Sequence, residues 1–219
     1  MTPRITRLVP LAGLLLCAAA PASAQVLGLV VRNAGVPAGI GIAAEAGFAN
    51  SDYGKGKTFG GTGQIGVGPL GLTATIASYN PDAAGSSSTT SYGGTANLKV
   101  FGGPLVPFSI TLQAGYGYAD ANGSKLSHVP VGLGLALNIP NPALAIRPWI
   151  APRADINHVS GVGVPSDTKT KFALSGGIDF NLLSGIGAGV SYDWINGDSG
   201  THPGIFGVRL HYVFNVPGL

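Results

Sequence analysis

Charged residues make up only 10% of this sequence, against about 25% in an ordinary soluble domain. Such a chain has too few Asp, Glu, Lys and Arg to cover a water-facing surface with mixed charges. A single cysteine, Cys17, rules out an internal disulfide framework. No Lys/Arg cluster suggests nucleic acid as a partner. No spacing of His, Cys and carboxylates argues for a metal, and no cofactor is expected. Beyond the first 24 residues no stretch is apolar for the ~20 residues that a membrane-spanning helix needs.

What is present begins with "MTPRITRLVPLAGLLLCAAAPASAQ". Arg4 and Arg7 precede an apolar run that ends at Ala22-Ser23-Ala24, the layout of a cleaved export signal. Residues 1–24 are therefore expected to be removed, and Cys17 with them. Loss of Arg4 and Arg7 lowers the formal charge from +3 to about +1. Mean hydropathy is +0.35. A hydrophobic, charge-poor exported chain without spanning helices points to a closed barrel in an outer membrane. In lipid, only helices and closed barrels satisfy every backbone polar group.

The stretch "GIGAGVSYDWIN" (185–196) shows the pattern at its clearest. Ile186, Ala188, Val190, Tyr192 and Trp194 alternate with Gly187, Gly189, Ser191 and Asp193, as in a strand with unlike faces. Ten such segments are read: Gly39–Asn50, Thr58–Gly68, Leu70–Asn80, Thr90–Phe101, Pro107–Asp120, Leu126–Asn138, Ala143–His158, Lys169–Asn181, Gly185–Asn196 and Gly204–Phe214. Several suit the ~9–11 residues of a tilted membrane strand. Tight connections such as "GPLG" and "NLLSG" alternate with longer polar ones such as "DANGSK" and "SGVGVPSD". The expected fold is all-β, an antiparallel up-and-down transmembrane β-barrel of about ten strands, with eight or twelve as alternatives. The barrel spans 39–219, and residues 25–38 form a short periplasmic lead or a lumen segment. An even strand count puts both ends of the barrel domain in the periplasm.

Facing assigns the charges. Glu45, Lys99, Arg147, Arg153, Asp155, Lys171, Asp179, Asp193 and Arg209 all fall on the polar row of their strands and none on an apolar row. These are the expected lumen charges. The apolar rows then face lipid. From strand heights, Glu45 is expected opposite Arg209 across the seam, Asp155 opposite Lys171, and Arg147 level with Asp179. Tyr79, Tyr92, Phe101, Phe108, Tyr118, Phe172, Phe180 and Trp194 gather towards strand ends, where outward-facing members form aromatic girdles.

The whole barrel region resembles a small bacterial outer-membrane β-barrel protein. The final strand "GVRLHYVF" resembles that family's C-terminal insertion signal, with Leu210, Tyr212 and Phe214 alternating. The resemblance implies residence in the bacterial outer membrane, lipid as a partner, assembly by the barrel assembly machinery through the last strand, and a monomer. The expected function is non-enzymatic: a narrow porin-like channel or a structural barrel with a charge-lined lumen. One alternative is a rim-located hydrolase, a protease or lipid A-modifying enzyme, for which Asp155, His158 and Ser160 could meet. Another is an adhesin-like surface module. Gly61–Gly66 fits G-x-G-x-x-G, but a strand rather than a helix follows, so the glycines are read as barrel residues.

Overall fold

The computed structural model describes residues 26–36, 39–103, 106–121, 123–139, 141, 144–161 and 164–214. The expected export signal, 1–24, lies outside them. Ten strands follow in order: β1 (Gly39–Ala49), β2 (Gly56–Val67), β3 (Leu70–Pro81), β4 (Thr89–Phe101), β5 (Phe108–Ala121), β6 (Ser124–Leu137), β7 (Leu144–Gly161), β8 (Val164–Leu182), β9 (Ile186–Ile195) and β10 (Gly204–Phe214). Each pairs antiparallel with the next, and β10 returns to β1, so the barrel is closed. Closure removes both sheet edges, which lipid could not satisfy.

The alternation works as a radial code. On β9, Val190 and Tyr192 point out while Ser191 and Asp193 are buried inside. On β6, Val131, Leu133, Leu135 and Leu137 form an exposed outer column. Tyr92 packs on Tyr118, and Phe101 stacks on Phe108 at 5.0 Å between ring centres. Phe172 meets Trp194 edge-on. These pairs lie towards the two ends of the apolar belt, as interfacial girdles do. Tyr79 lies on the inward row of β3 and so is not among the outward-facing members. It is buried and packs against Tyr53, on the 3₁₀ turn Ser51–Tyr53 that folds over one mouth of the barrel.

Two polar connections expected to be loops are mostly strand. Only residues 122–123 separate β5 from β6, and only 162–163 separate β7 from β8. The segment expected as loop at 160–167 pairs across the hairpin, with Val159 opposite Asp167 and Gly161 opposite Val164. The His158 ring nitrogen Nδ1 and Thr168 Oγ1 lie 2.8 Å apart. Polar residues hide the strand because a ribbon standing in water needs no apolar row. Its backbone ladder and cross-strand polar pairs suffice.

The barrel has two distinct ends. β1 begins and β10 finishes at the lower end, where Ile40 pairs with Phe214. The upper end carries the 3₁₀ turn and the β7–β8 ribbon.

Candidate functional site

Residues 26–36 occupy the lumen. Val26, Leu29, Val30, Val31 and Asn33 are all buried. The segment starts near the upper mouth, where Gly28 N donates to Tyr53 Oη and Thr58 Oγ1 donates to Leu27 O. It then descends. Val31 sits beside β8 and β9, Arg32 lower beside Asp179, and Gly35 against Arg147 of β7. The inward row is glycine-rich because this segment needs the space. A Cβ on Gly47 would overlap Gly28 O, and one on Gly134 would overlap Asn33.

A buried ionic layer clamps the middle of the segment. The Arg153 guanidinium donates to Asp155 at 2.8 and 3.0 Å and to both Asp193 oxygens at 2.8 Å. Its Nη1 donates to Ser175 Oγ at 2.7 Å, and that hydroxyl donates to Val31 O at 2.7 Å. Asp193 Oδ2 accepts from Val31 N at 3.4 Å. His128 Nε2 lies 3.0 Å from Asp155 Oδ1. One layer therefore joins β6, β7, β8 and β9 and holds both backbone polar groups of Val31. Arg153, Asp155 and Asp193 are each no more than 3% exposed, so this is dry lumen.

Below it, Arg32 pairs with Asp179, donates to Ser191 Oγ at 2.9 Å and lies 5.2 Å from the Trp149 ring centre. This is a cation–π distance. Gln113 Nε2 donates to Arg32 O at 2.8 Å. Sequence reasoning leaves Arg32 in an unplaced lead, although a lone cation directly after the apolar run Leu29-Val30-Val31 is an available signal for a buried anchor.

The remaining predicted charges are placed as follows. Glu45 faces Arg209 across the seam in register, with Oε1 3.9 Å from Nε. Asp155 is opposite Lys171 and Arg147 opposite Asp179 along the β7–β8 pair, yet neither couple forms an ion pair. Asp155 goes to Arg153 and His128, Asp179 goes to Arg32, and Lys171 reaches up to Asp198 at 3.5 Å. Height fixes the backbone neighbours, but the forked guanidinium reaches along its own strand and satisfies two carboxylates at once. Asp198, in the upper 3₁₀ turn Asp198–Gly200, is held below the usual carboxylate range mainly by the hydrogen bond from Lys169. Lys99 and Arg147 line the lower lumen.

The seam pair gives a direct test. Glu45→Gln, Arg209→Gln and the double variant, unfolded by urea in lipid, are expected to show a coupling of about 1–3 kcal/mol, below the ~3–5 of a fully dry pair. Glu45 also accepts from Thr62 Oγ1, and Arg209 donates to Gln64. A coupling indistinguishable from zero would show that each charge is held by these neighbours alone.

The rim constellation does not assemble. Asp155 points into the lumen and is 0% exposed. His158 and Ser160 have the opposite parity on β7, so they lie on its outer face, where His158 contacts Thr168 and Ser166. Among the described residues no cluster of His, Cys, Asp and Glu could hold a metal ion.

No family model matches the chain, and no curated protein does. Solved structures share the fold. The β domain of the Bordetella autotransporter BrkA aligns with a TM-score of 0.50 and 14% identity, over 80% of this chain and 98% of that one. The KdgM porin, solved with disordered oligogalacturonate, aligns at 0.43 and 14%, over 80% and 99%. The outer membrane protease OmpT of Escherichia coli aligns at 0.41 and 7%, over 81% and 94%. With a closed ten-stranded wall, an outward apolar belt and the likeness to the autotransporter domain, the chain has the fold of the small bacterial outer-membrane β-barrels.

Proposed function

We propose that the chain is a non-enzymatic outer-membrane barrel closed by its own amino-terminal segment, a structural barrel rather than an open porin. The observation that carries this reading is residues 26–36 inside the lumen, tied to Thr58, Thr111, Gln113, Ser175, Asp179 and Asp193 on β2, β5, β8 and β9. A ten-stranded barrel has a narrow interior, since about eight strands are already nearly filled by side chains. A segment with buried Val26, Leu29, Val30 and Val31 blocks what is left. The lower end faces the periplasm, as in barrels with an even strand number. Insertion through β10, whose Leu210, Tyr212 and Phe214 face outward, and a monomeric state belong to the same reading.

Planar-bilayer recording tests it. The full chain is expected to give no steady single-channel current. A variant lacking residues 25–36 is expected to give discrete openings while keeping the heat-dependent gel shift of a folded barrel. Steady current through the full chain would overturn the closed-lumen reading.

A further inference from the structure

The lumen is not filled to its lower end. A cavity of about 540 Å³ remains beneath Val26, Leu29 and Val30, opening among Gly102, Gly103, Leu183 and Gly185. That size is within the ~300–1,000 Å³ of small-molecule sites. We infer that this vestibule is a binding site for a small, multiply charged oxyanion, carrying phosphate or carboxylate groups and entering from the periplasmic side.

Charge balance is the first argument. Arg32, Lys99, Arg147 and Arg209 line the cavity against two carboxylates, Glu45 and Asp179. Both carboxylates are engaged, Asp179 by Arg32 and Glu45 by Thr62 and Arg209. Among the described residues, Lys99 on β4 and Arg147 on β7 remain as cations without a carboxylate at ion-pair distance. Arg147 Nε is buried and has no hydrogen-bond partner. Its guanidinium lies against Gly35, which holds φ at +105° and offers no Cβ to push it aside.

The second argument is independent of charge. Ser109 Oγ, a hydroxyl that can donate, also borders the cavity, belongs to a residue 4% exposed, and has no partner. A buried polar atom left unmade costs about 1–3 kcal/mol. Ser109 on β5 and Lys99 on β4 line the same cavity from adjoining strands, Lys99 being paired with Thr111 two residues along from Ser109. A hydroxyl, an ammonium and a guanidinium arranged around one water-accessible space form a donor set for an oxyanion. Lipid headgroups surround the outside of the wall, so the anion is a free solute.

Calorimetric titration of the full chain, folded in neutral detergent, tests this with two probes, pyrophosphate and citrate, against sodium chloride at equal ionic strength. Saturable one-site binding of at least one probe is expected. Pyrophosphate alone assigns phosphate chemistry, and citrate alone assigns carboxylate chemistry. Arg147→Gln and Lys99→Gln are each expected to weaken binding about tenfold or more, the loss of one charge-assisted hydrogen bond. Lys171→Gln, at the upper rim beside Asp198, is expected to leave it unchanged. No saturable binding by either probe, or equal losses in all three variants, overturns the site. So does undiminished affinity in both cavity variants. The readout is binding and not current, so it is decided separately from closure of the lumen.

Discussion

Arg153→Gln is expected to lower the stability of the folded barrel by about 3–5 kcal/mol, the cost of removing one partner from a buried ionic group. The arginine is 3% exposed, and Asp155 and Asp193 are 0% exposed. Without it two carboxylates face each other in dry lumen, and water cannot replace five hydrogen bonds at 2.7–3.0 Å. Gln is too short to span both Asp155 and Asp193. The damage reaches the amino-terminal segment too, because Ser175 and Asp193 hold Val31 from either side. Urea unfolding in lipid vesicles measures the effect. The triple variant Arg153→Met, Asp155→Asn, Asp193→Asn is expected to recover much of the loss, since neutralising a whole buried network is far less costly than breaking it. A loss below about 1 kcal/mol for Arg153→Gln, the size of an exposed pair, would mean that water reaches this layer.

The wall of the barrel is legible because lipid imposes one rule on every strand. Outward residues within the membrane are apolar, so facing follows from alternation, while a count of ten strands leaves eight and twelve open. The rule lapses where the chain leaves the membrane. Residues 164–168 form strand with no apolar row, and from sequence they read as loop. It lapses inside the lumen as well. Tyr79, by sequence only an aromatic near a strand end, has inward parity on β3 and packs against Tyr53 at the mouth. The segment 25–38 has no single placement from sequence, because nothing in Val30-Val31-Arg32-Asn33 distinguishes a lead from a plug. The glycines at 47 and 134 hold the complementary information, but a missing side chain does not say what fills its space. Heights along paired strands give Glu45 opposite Arg209, where both residues have few rivals. They do not give the partners of Asp155 and Asp179, for which Arg153 and Arg32 compete at close range.

Val190→Arg and Leu133→Arg are each expected to cost about 2–4 kcal/mol, the penalty for a cation near the midplane of a membrane barrel. Val190 lies between Ile178 and Val208 on the adjoining strands, and Leu133 lies beside Leu112. Both side chains are more than 40% exposed, yet these outward neighbours are apolar, so the exposed surface is one that meets lipid. A lumenal control separates polarity from crowding. Thr111, the natural choice from its position on the polar row, is unsuitable: it is 1% exposed and its carbonyl accepts from Asn33, so any larger side chain would strike the plug. Thr75 is the better site. It borders the open vestibule, and its hydroxyl lies 2.9 Å from that of Thr62, which in turn donates to Glu45. A lysine at position 75 has room in the cavity, but it loses the Thr62 hydroxyl contact and joins other cations there, so Thr75→Lys is expected to cost about 1 kcal/mol, less than the penalty for Arg in the apolar rows. Urea titrations of all three variants in vesicles of one lipid composition give the comparison. If Arg at 190 and 133 is tolerated as well as Lys at 75, the apolar rows do not face hydrocarbon and the barrel is not embedded by this belt.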